Sequence, residues 1–175
     1  AMSAASAVHI NIFGTHPIVV AGNEEQKARW LPDLAQGRIK ACFGVTEPNA
    51  GLDTTAIETR AEKTGGGYVV HGRKIWTTTA GEADKIMLLA RTAPRTEDTK
   101  KTAGLSLFFT DLDRRYVDVR PIPKMGRAAV DSNEVFIDGL PVPAADLIGE
   151  EGRGFEYLLH SLNPERVLVG AEAVG

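Results

Sequence analysis

Two stretches of this chain carry groups whose types and spacing could do chemistry: Asn163-Pro-Glu-Arg166, with a carboxylate beside a guanidinium, and Lys74-Ile-Trp-Thr-Thr-Thr79, with three hydroxyls flanking an indole. A carboxylate works as a general base when burial lifts its pKa toward that of the proton it must take. Each stretch also has an ordinary structural reading. Asn163 as N-cap, Pro164 at the first helical position and Glu165 in the first turn make a standard helix start. Trp76 reads as a core aromatic and Thr78 as a strand residue chosen for its β-branching. Other chemistries find no footing. His9, His16, His71 and His160 are scattered and share no metal-ligand spacing with acids or with the lone Cys42, so no metal site is expected. Cys42, between Ala41 and Phe43 at a strand start, reads as a small buried thiol rather than a redox group. Nucleophile-elbow patterns of the type Gly-x-Ser-x-Gly are missing. Gly149-Glu-Glu-Gly-Arg-Gly154 fits neither phosphate-loop pattern and follows no βαβ strand, so nucleotide binding there is rejected.

The elements that must position these groups change character along the chain. Residues 1 to 40 have a helical pattern: a small-residue apolar segment runs from Ala4 to Ile12, ends at Gly14 and is broken at His16-Pro17. A second helix starts with Asn23 as N-cap and Glu24 and Glu25 in its first turn and packs through Trp30 and Leu31, and Gly37 stops it or a short continuation after Pro32. From Ile39 onward come short runs rich in Val, Ile, Thr and aromatics. Strands are expected over 68–71, 74–78, 85–90, 105–110, 117–120 and 134–137, with turns at Gly65-Gly66-Gly67, His71-Gly72 and Asp138-Gly139. Pro94 and the charged stretch from Arg95 to Lys101 read as an exposed loop. Many short strands without alternating long helices predict a mainly β fold with flanking helices, a barrel or sandwich rather than a doubly wound parallel sheet. Helical pattern returns after Gly149 through Phe155, Leu158, Leu159 and Leu162, and a second helical pattern runs from Asn163 to the end. The terminal helical segments have apolar faces without partners in the chain, which reads as a central piece of a longer protein.

Composition narrows the class. With 175 residues the chain can bury one substantial core, or one domain with parts of its neighbours. The hydrophobic share of 43% is ordinary, and no apolar run approaches the roughly 20 residues of a membrane span. A net charge of -3 offers no broad positive field for nucleic acid. A single cysteine cannot form an internal disulfide, and no charged segment followed by a long apolar stretch opens the chain; a reducing, cytoplasmic compartment is expected.

Two motifs in order, Phe43-Gly-Val-Thr-Glu-Pro-Asn-Ala-Gly-Leu-Asp53 and Tyr68-Val-Val-His-Gly-Arg-Lys-Ile-Trp-Thr-Thr-Thr79, resemble the flavin-holding segments of the acyl-CoA dehydrogenase family. The segment from Asn23 to Pro32 with Gly37 is similar to the family's approach to its β-barrel. Lys124-Met-Gly126, Ser132-Asn-Glu-Val-Phe-Ile-Asp138, Val142-Pro143 and Leu147-Ile-Gly149 are similar to its exit. The resemblance covers nearly the whole chain and implies a remnant of an N-terminal helical domain over 1–40, a middle β-barrel flavin-binding domain over 41–150, and the start of a C-terminal helical domain over 151–175.

It also implies roles. FAD is the cofactor. Phe43 belongs to the flavin loop; backbone groups near Val45 and Thr46, with the Thr46 hydroxyl, meet the pyrimidine side of the isoalloxazine, where donors stabilise charge gathering at N1 and O2 on reduction. Trp76 lies beside the ring and Thr78 hydrogen-bonds near N5. Leu52 departs from the serine many relatives carry, and leucine offers the cofactor pyrophosphate only its backbone. Asn163 and Arg166 face the substrate end, and Glu165 matches the catalytic base of some members, while others carry that glutamate on a later helix. The implied activity is flavin-dependent α,β-dehydrogenation of an acyl-CoA thioester to a trans-2-enoyl-CoA, with electron-transfer flavoprotein or a similar acceptor as partner and a homo-oligomer, tetramer or dimer, as the assembly. Two alternatives stay open: an oxidase or monooxygenase of the same fold, and a non-enzymatic interaction module.

Overall fold

A computed structural model describes residues 10–96, 99–127 and 129–174. Residues 1–9 of the expected first helix lie outside the described residues, as do Glu97 and Asp98 of the charged loop, whose described neighbours are exposed. Helix α1 (His16–Ala21) takes Pro17 into its first turn, where a missing N–H costs nothing, so the break falls at Gly14-Thr15 instead. Helix α2 (Glu24–Ala35) opens with a capping box: Asn23 accepts from the Gln26 amide at 2.8 Å, and the Gln26 side chain accepts from the Asn23 amide at 3.0 Å. It runs on through Pro32, and Gly37, with φ of +68°, ends it in the left-handed region.

The body is one sheet. Its strands are β1 (Ala41–Gly44), β2 (Arg60–Thr64), β3 (Gly67–Thr78), β4 (Lys85–Arg91), β5 (Leu105–Asp111), β6 (Val117–Pro121), β7 (Ser132–Pro143) and β8 (Leu147–Ile148). They lie in the order β6-β7-β3-β2-β4-β5-β8, with β1 paired parallel to the first half of β4 and β2 touching β4 at Arg60 and Arg91. The sheet curls on itself: Ile86, Leu88 and Ala90 of β4 share a core with Val135, Ile137, Leu140 and Val142 of β7, although two strands, β3 and β2, stand between them in the order. Tyr68 and Phe108 meet edge-on across that core, centroids 4.9 Å apart. The alternate residues Met87 and Leu89 of β4 and Leu105, Leu107 and Phe109 of β5 point the other way, under Ile18, Trp30 and Leu158 of the helices. Strands buried on both faces read as unbroken apolar runs, which is how 85–90 and 105–110 stand in the sequence. The mainly β architecture with helices at both ends is as expected.

Three local expectations are corrected. His71-Gly72 is not a turn, because β3 continues through it; Gly72 is needed where a Cβ would sit 2.2 Å from the Thr59 hydroxyl oxygen. Asp138-Gly139 is a bulge inside β7, with Gly139 at φ +73° inserted between the pairs Val70–Leu140 and His71–Asp138. The final helix, α3 (Gly154–Val174), is one element passing through Pro164, so Asn163 is not an N-cap and Glu165 is not in a first turn. An interior proline costs a helix about 3 kcal/mol. The packing of buried Gly154, Leu158 and Ser161 against the body precedes that proline.

Candidate functional site

A second bulge, in β3, builds the site. Lys74 pairs with Val135 and Thr77 with Asn133, so Ile75 and Trp76 together oppose Glu134. Plain alternation would put Lys74, Trp76 and Thr78 on one face. The extra residue flips the phase: Lys74 and Thr77 are buried, while Trp76 turns outward, 58% exposed, with φ of +59°. A positive φ is strained for an aromatic residue, and such strain persists only where surrounding contacts impose it. Here the Ile75 amide leaves the β7 ladder and donates to the Thr46 carbonyl at 2.9 Å, stitching the segment after β1 to the bulge.

The same segment is anchored from inside. Lys74, with no exposed side-chain surface, donates from Nζ to Glu47 Oε1 at 2.7 Å and to the Val45 carbonyl at 3.2 Å. Glu47, 5% exposed, also accepts from the amides of Glu58 at 2.6 Å and Thr59 at 3.0 Å. Burial alone would raise the Glu47 pKa, but the Lys74 charge and these donors outweigh it and the carboxyl lies below its ordinary value. Burial brings Lys74 down to about 8 against the pull of Glu47.

Phe43, Val45, Thr46, Trp76, Thr78 and Glu165 line one cleft of about 190 Å³, together with Phe13, Thr54, Ile75 and Leu162. Six of the nine residues marked out from sequence thus converge. The hydroxyls of Thr46 and Thr78 have no hydrogen-bond partner among the described residues and are free to meet a ligand. Phe13 and Phe43 pack edge-on at 5.0 Å and form an aromatic wall. Glu165 is half-buried; desolvation raises its pKa, and the neighbouring Arg166 charge counters only part of the rise. The other three stand apart. Leu52 is fully exposed on a turn, and Asn163 and Arg166 are exposed and bonded to each other at 2.8 Å. Sequence reasoning gave no role to Glu47 and Lys74, although opposite charges in the two motifs were the available sign.

The family model described as "Acyl-CoA dehydrogenase, middle domain" matches residues 42–140, and that described as "Acyl-CoA dehydrogenase, N-terminal domain" matches residues 1–38. The chain belongs to the acyl-CoA dehydrogenase family. It is 36% identical over 170 residues to an acyl-CoA dehydrogenase of Bacillus subtilis, covering 97% of this chain and 44% of that protein. Among solved structures, an acyl-CoA dehydrogenase from Geobacillus kaustophilus superposes with a TM-score of 0.85 at 37% identity, over 93% of this chain and 42% of that one. The prolyl acyl carrier protein oxidase AnaB superposes with a TM-score of 0.90 at 32% identity, over 99% of this chain and 45% of that one. The chain therefore spans under half the length of these relatives.

Proposed function

We propose that the cleft holds the isoalloxazine edge of FAD and that the intact protein dehydrogenates an acyl-CoA thioester to its trans-2-enoyl form. The observation that carries this is the convergence of Thr46, Trp76 and Thr78 with Glu165 on one cleft from three separate elements. The donor set fits the group: two unpaired hydroxyls and flanking aromatic surface suit a flat ring with polar edges. The cleft is smaller than the roughly 300–1,000 Å³ of a site that encloses a ligand, so these residues grip an edge rather than surround the ring. FAD, when bound, supplies the acceptor for the substrate's β-hydride. Val45 and Thr46 offer amides and a hydroxyl to the pyrimidine side, Thr78 offers its hydroxyl near N5, and Phe43 and Trp76 flank the ring. Leu52 has only its backbone to give to the pyrophosphate.

Glu165 takes the α-proton. Its raised pKa favours that role, and an acyl chain closing over it would desolvate it further. Arg166 acts on Glu165 through its charge and, with Asn163, orders the substrate end from the outer side of α3. We assign residues 1–40, 41–150 and 151–175 to a helical remnant, the flavin platform and the entry to a second helical domain. An electron-transfer flavoprotein or similar acceptor and a homo-oligomeric assembly complete the reading, with a cytoplasmic location. No helix among the described residues is long and apolar enough to cross a membrane.

Likeness to an acyl carrier protein oxidase supports a second reading, in which reduced flavin reacts with oxygen. Anaerobic titration of the intact protein with straight, branched and aromatic acyl-CoAs, following oxidised-flavin absorbance, tests the dehydrogenation, and admitting oxygen to the reduced protein separates the two readings. Bleaching by one class is expected, with loss of bleaching in Glu165→Gln and slow return of the absorbance in air. Bound FAD that no acyl-CoA bleaches overturns dehydrogenation of acyl-CoA, and rapid reoxidation by oxygen favours the second reading. The 175-residue chain by itself should be inactive, and turnover by it would refute the need for further sequence.

A further inference from the structure

A buried ion pair is an expensive way to hold two segments together. Hydrophobic residues of similar volume commonly do so at equal or better stability, whereas removing one partner strands a charge. The Lys74–Glu47 pair lies at the core side of the proposed flavin edge, and its contacts fall on consecutive residues. Lys74 Nζ holds the Val45 carbonyl and the Glu47 carboxylate, and the next residue, Ile75, holds the Thr46 carbonyl between them. A trans peptide is planar, with its N–H opposed to its C=O. Drawing the Val45 carbonyl toward the buried ammonium therefore turns the Thr46 N–H away from it. Fixing the Thr46 carbonyl on β3 does the same for the following peptide. Glu47 is held in turn by the Glu58 and Thr59 amides, so the arrangement cannot relax by swinging the carboxylate.

We infer that Lys74 and Glu47 are a positioning pair for the flavin: without touching it, they set the direction of the Thr46 amide that meets its pyrimidine edge. The inference rests on the flavin reading above. It explains why charges occupy this place in the core, because an apolar pair would fill the volume but leave the Val45 carbonyl undirected. It also explains why the pair sits next to the bulge. The residue that directs the loop immediately precedes those that form the opposite wall, so loop and strand are set by one contact.

The test uses the intact protein and the double variant Glu47→Gln/Lys74→Met, which removes both charges while keeping shape and an acceptor for the Glu58 and Thr59 amides. Thermal unfolding, FAD dissociation followed by flavin fluorescence, and the midpoint potential of the bound flavin are measured. A merely structural pair would move only the first. The expected result is a melting temperature near wild type, FAD bound about tenfold more weakly, and a lower potential as the amide loses its aim at N1 and O2. FAD affinity and potential equal to wild type in a folded double variant overturn the inference. Should the double variant fail to fold, Lys74→Met alone decides, since it removes the donor to the Val45 carbonyl while a protonated Glu47 carboxyl can still accept from the Glu58 and Thr59 amides: weaker FAD binding supports the inference and unchanged binding overturns it. Wild-type protein that takes up no flavin removes the functional reading and the inference with it, an outcome distinct from a variant that binds as well as wild type.

Discussion

Gly154→Ala is the sharpest probe of how the body holds the helix that carries Glu165. Gly154 opens α3 against β5, and a Cβ there would lie 2.4 Å from the Leu107 nitrogen, 2.5 Å from the Ser106 carbonyl carbon and 2.7 Å from Ser106 Cα. All three are backbone atoms of a strand in the sheet, so the helix must move. Reaching ordinary contact near 3.5 Å requires a shift of about 1 Å. Overpacking against backbone, which cannot give as a side chain can, falls at about 2–3 kcal/mol within the usual range, and the better helix propensity of alanine returns at most about 1 kcal/mol. A net loss of about 1–2 kcal/mol lowers the melting temperature by about 2–8 °C for a domain of this size. Calorimetry or far-ultraviolet circular dichroism of the intact protein reads it. Glu165 lies roughly 16 Å further along the helix axis, so a rigid shift carries its carboxylate about 1 Å from the cleft. Misplacement of a reacting group on that scale costs about a hundredfold in rate, which should appear in kcat for acyl-CoA oxidation. A melting temperature that is unchanged or higher would refute the packing argument. A lowered melting temperature with full kcat would refute the link from α3 to the base.

Glu165→Gln should stabilise the protein at neutral pH while abolishing turnover. The folded-state pKa of Glu165 is raised, so its contribution to stability is full below the unfolded value and is lost as pH rises through the folded value; the gain from glutamine should vanish near pH 4, and a gain independent of pH in thermal melts would contradict this. Thr78→Val should leave the melting temperature close to wild type, because that hydroxyl has no partner among the described residues, yet slow flavin reduction by substrate; an unaltered reduction rate would deny Thr78 its place at N5. Burial pushes the Cys42 thiol up to about 12, so a thiol reagent at pH 8 should not label the native protein and should label it fully in denaturant; native labelling at the denatured rate would contradict the buried placement.

Much of the candidate site could be read along the chain because most of its parts lie in two short motifs whose order resembles a known family's. Phe43 to Thr46 is an ordinary strand end running into a proline turn, and Trp76 to Thr78 is an ordinary β-branched run. Their types and order were informative before any contact was known. The doubly buried strands β4 and β5 were equally legible as apolar runs, and Asn23 with Glu24 and Glu25 announced the start of α2. The two mistaken turns had a shared cause. Gly72 and Gly139 look like punctuation, but one glycine makes room for Thr59 and the other forms a bulge, and neither role is local. Asn163 and Pro164 look like a helix start in isolation, yet α3 passes through them because its earlier turns are already seated on β5.

By itself, the order of residues determined the element types and the mainly β class with helical ends, since these follow from local periodicity; the threonines, aromatics and glutamate of the candidate site were marked out by a family resemblance of the motifs that carry them. The tertiary structure decided which way those groups face. One inserted residue at Trp76 reverses the alternation of β3, sending Trp76 and Thr78 to the cleft while Lys74, in phase with Tyr68 and Val70, stays in the core. There Lys74 meets a carboxylate 27 positions earlier in the chain. Strand pairing with β7, the Thr46–Ile75 hydrogen bond and the desolvation that makes an ion pair worth keeping only in one geometry are all contacts between distant segments. A period-two pattern carries no record of where the phase will slip, because the slip is set by the partner strand.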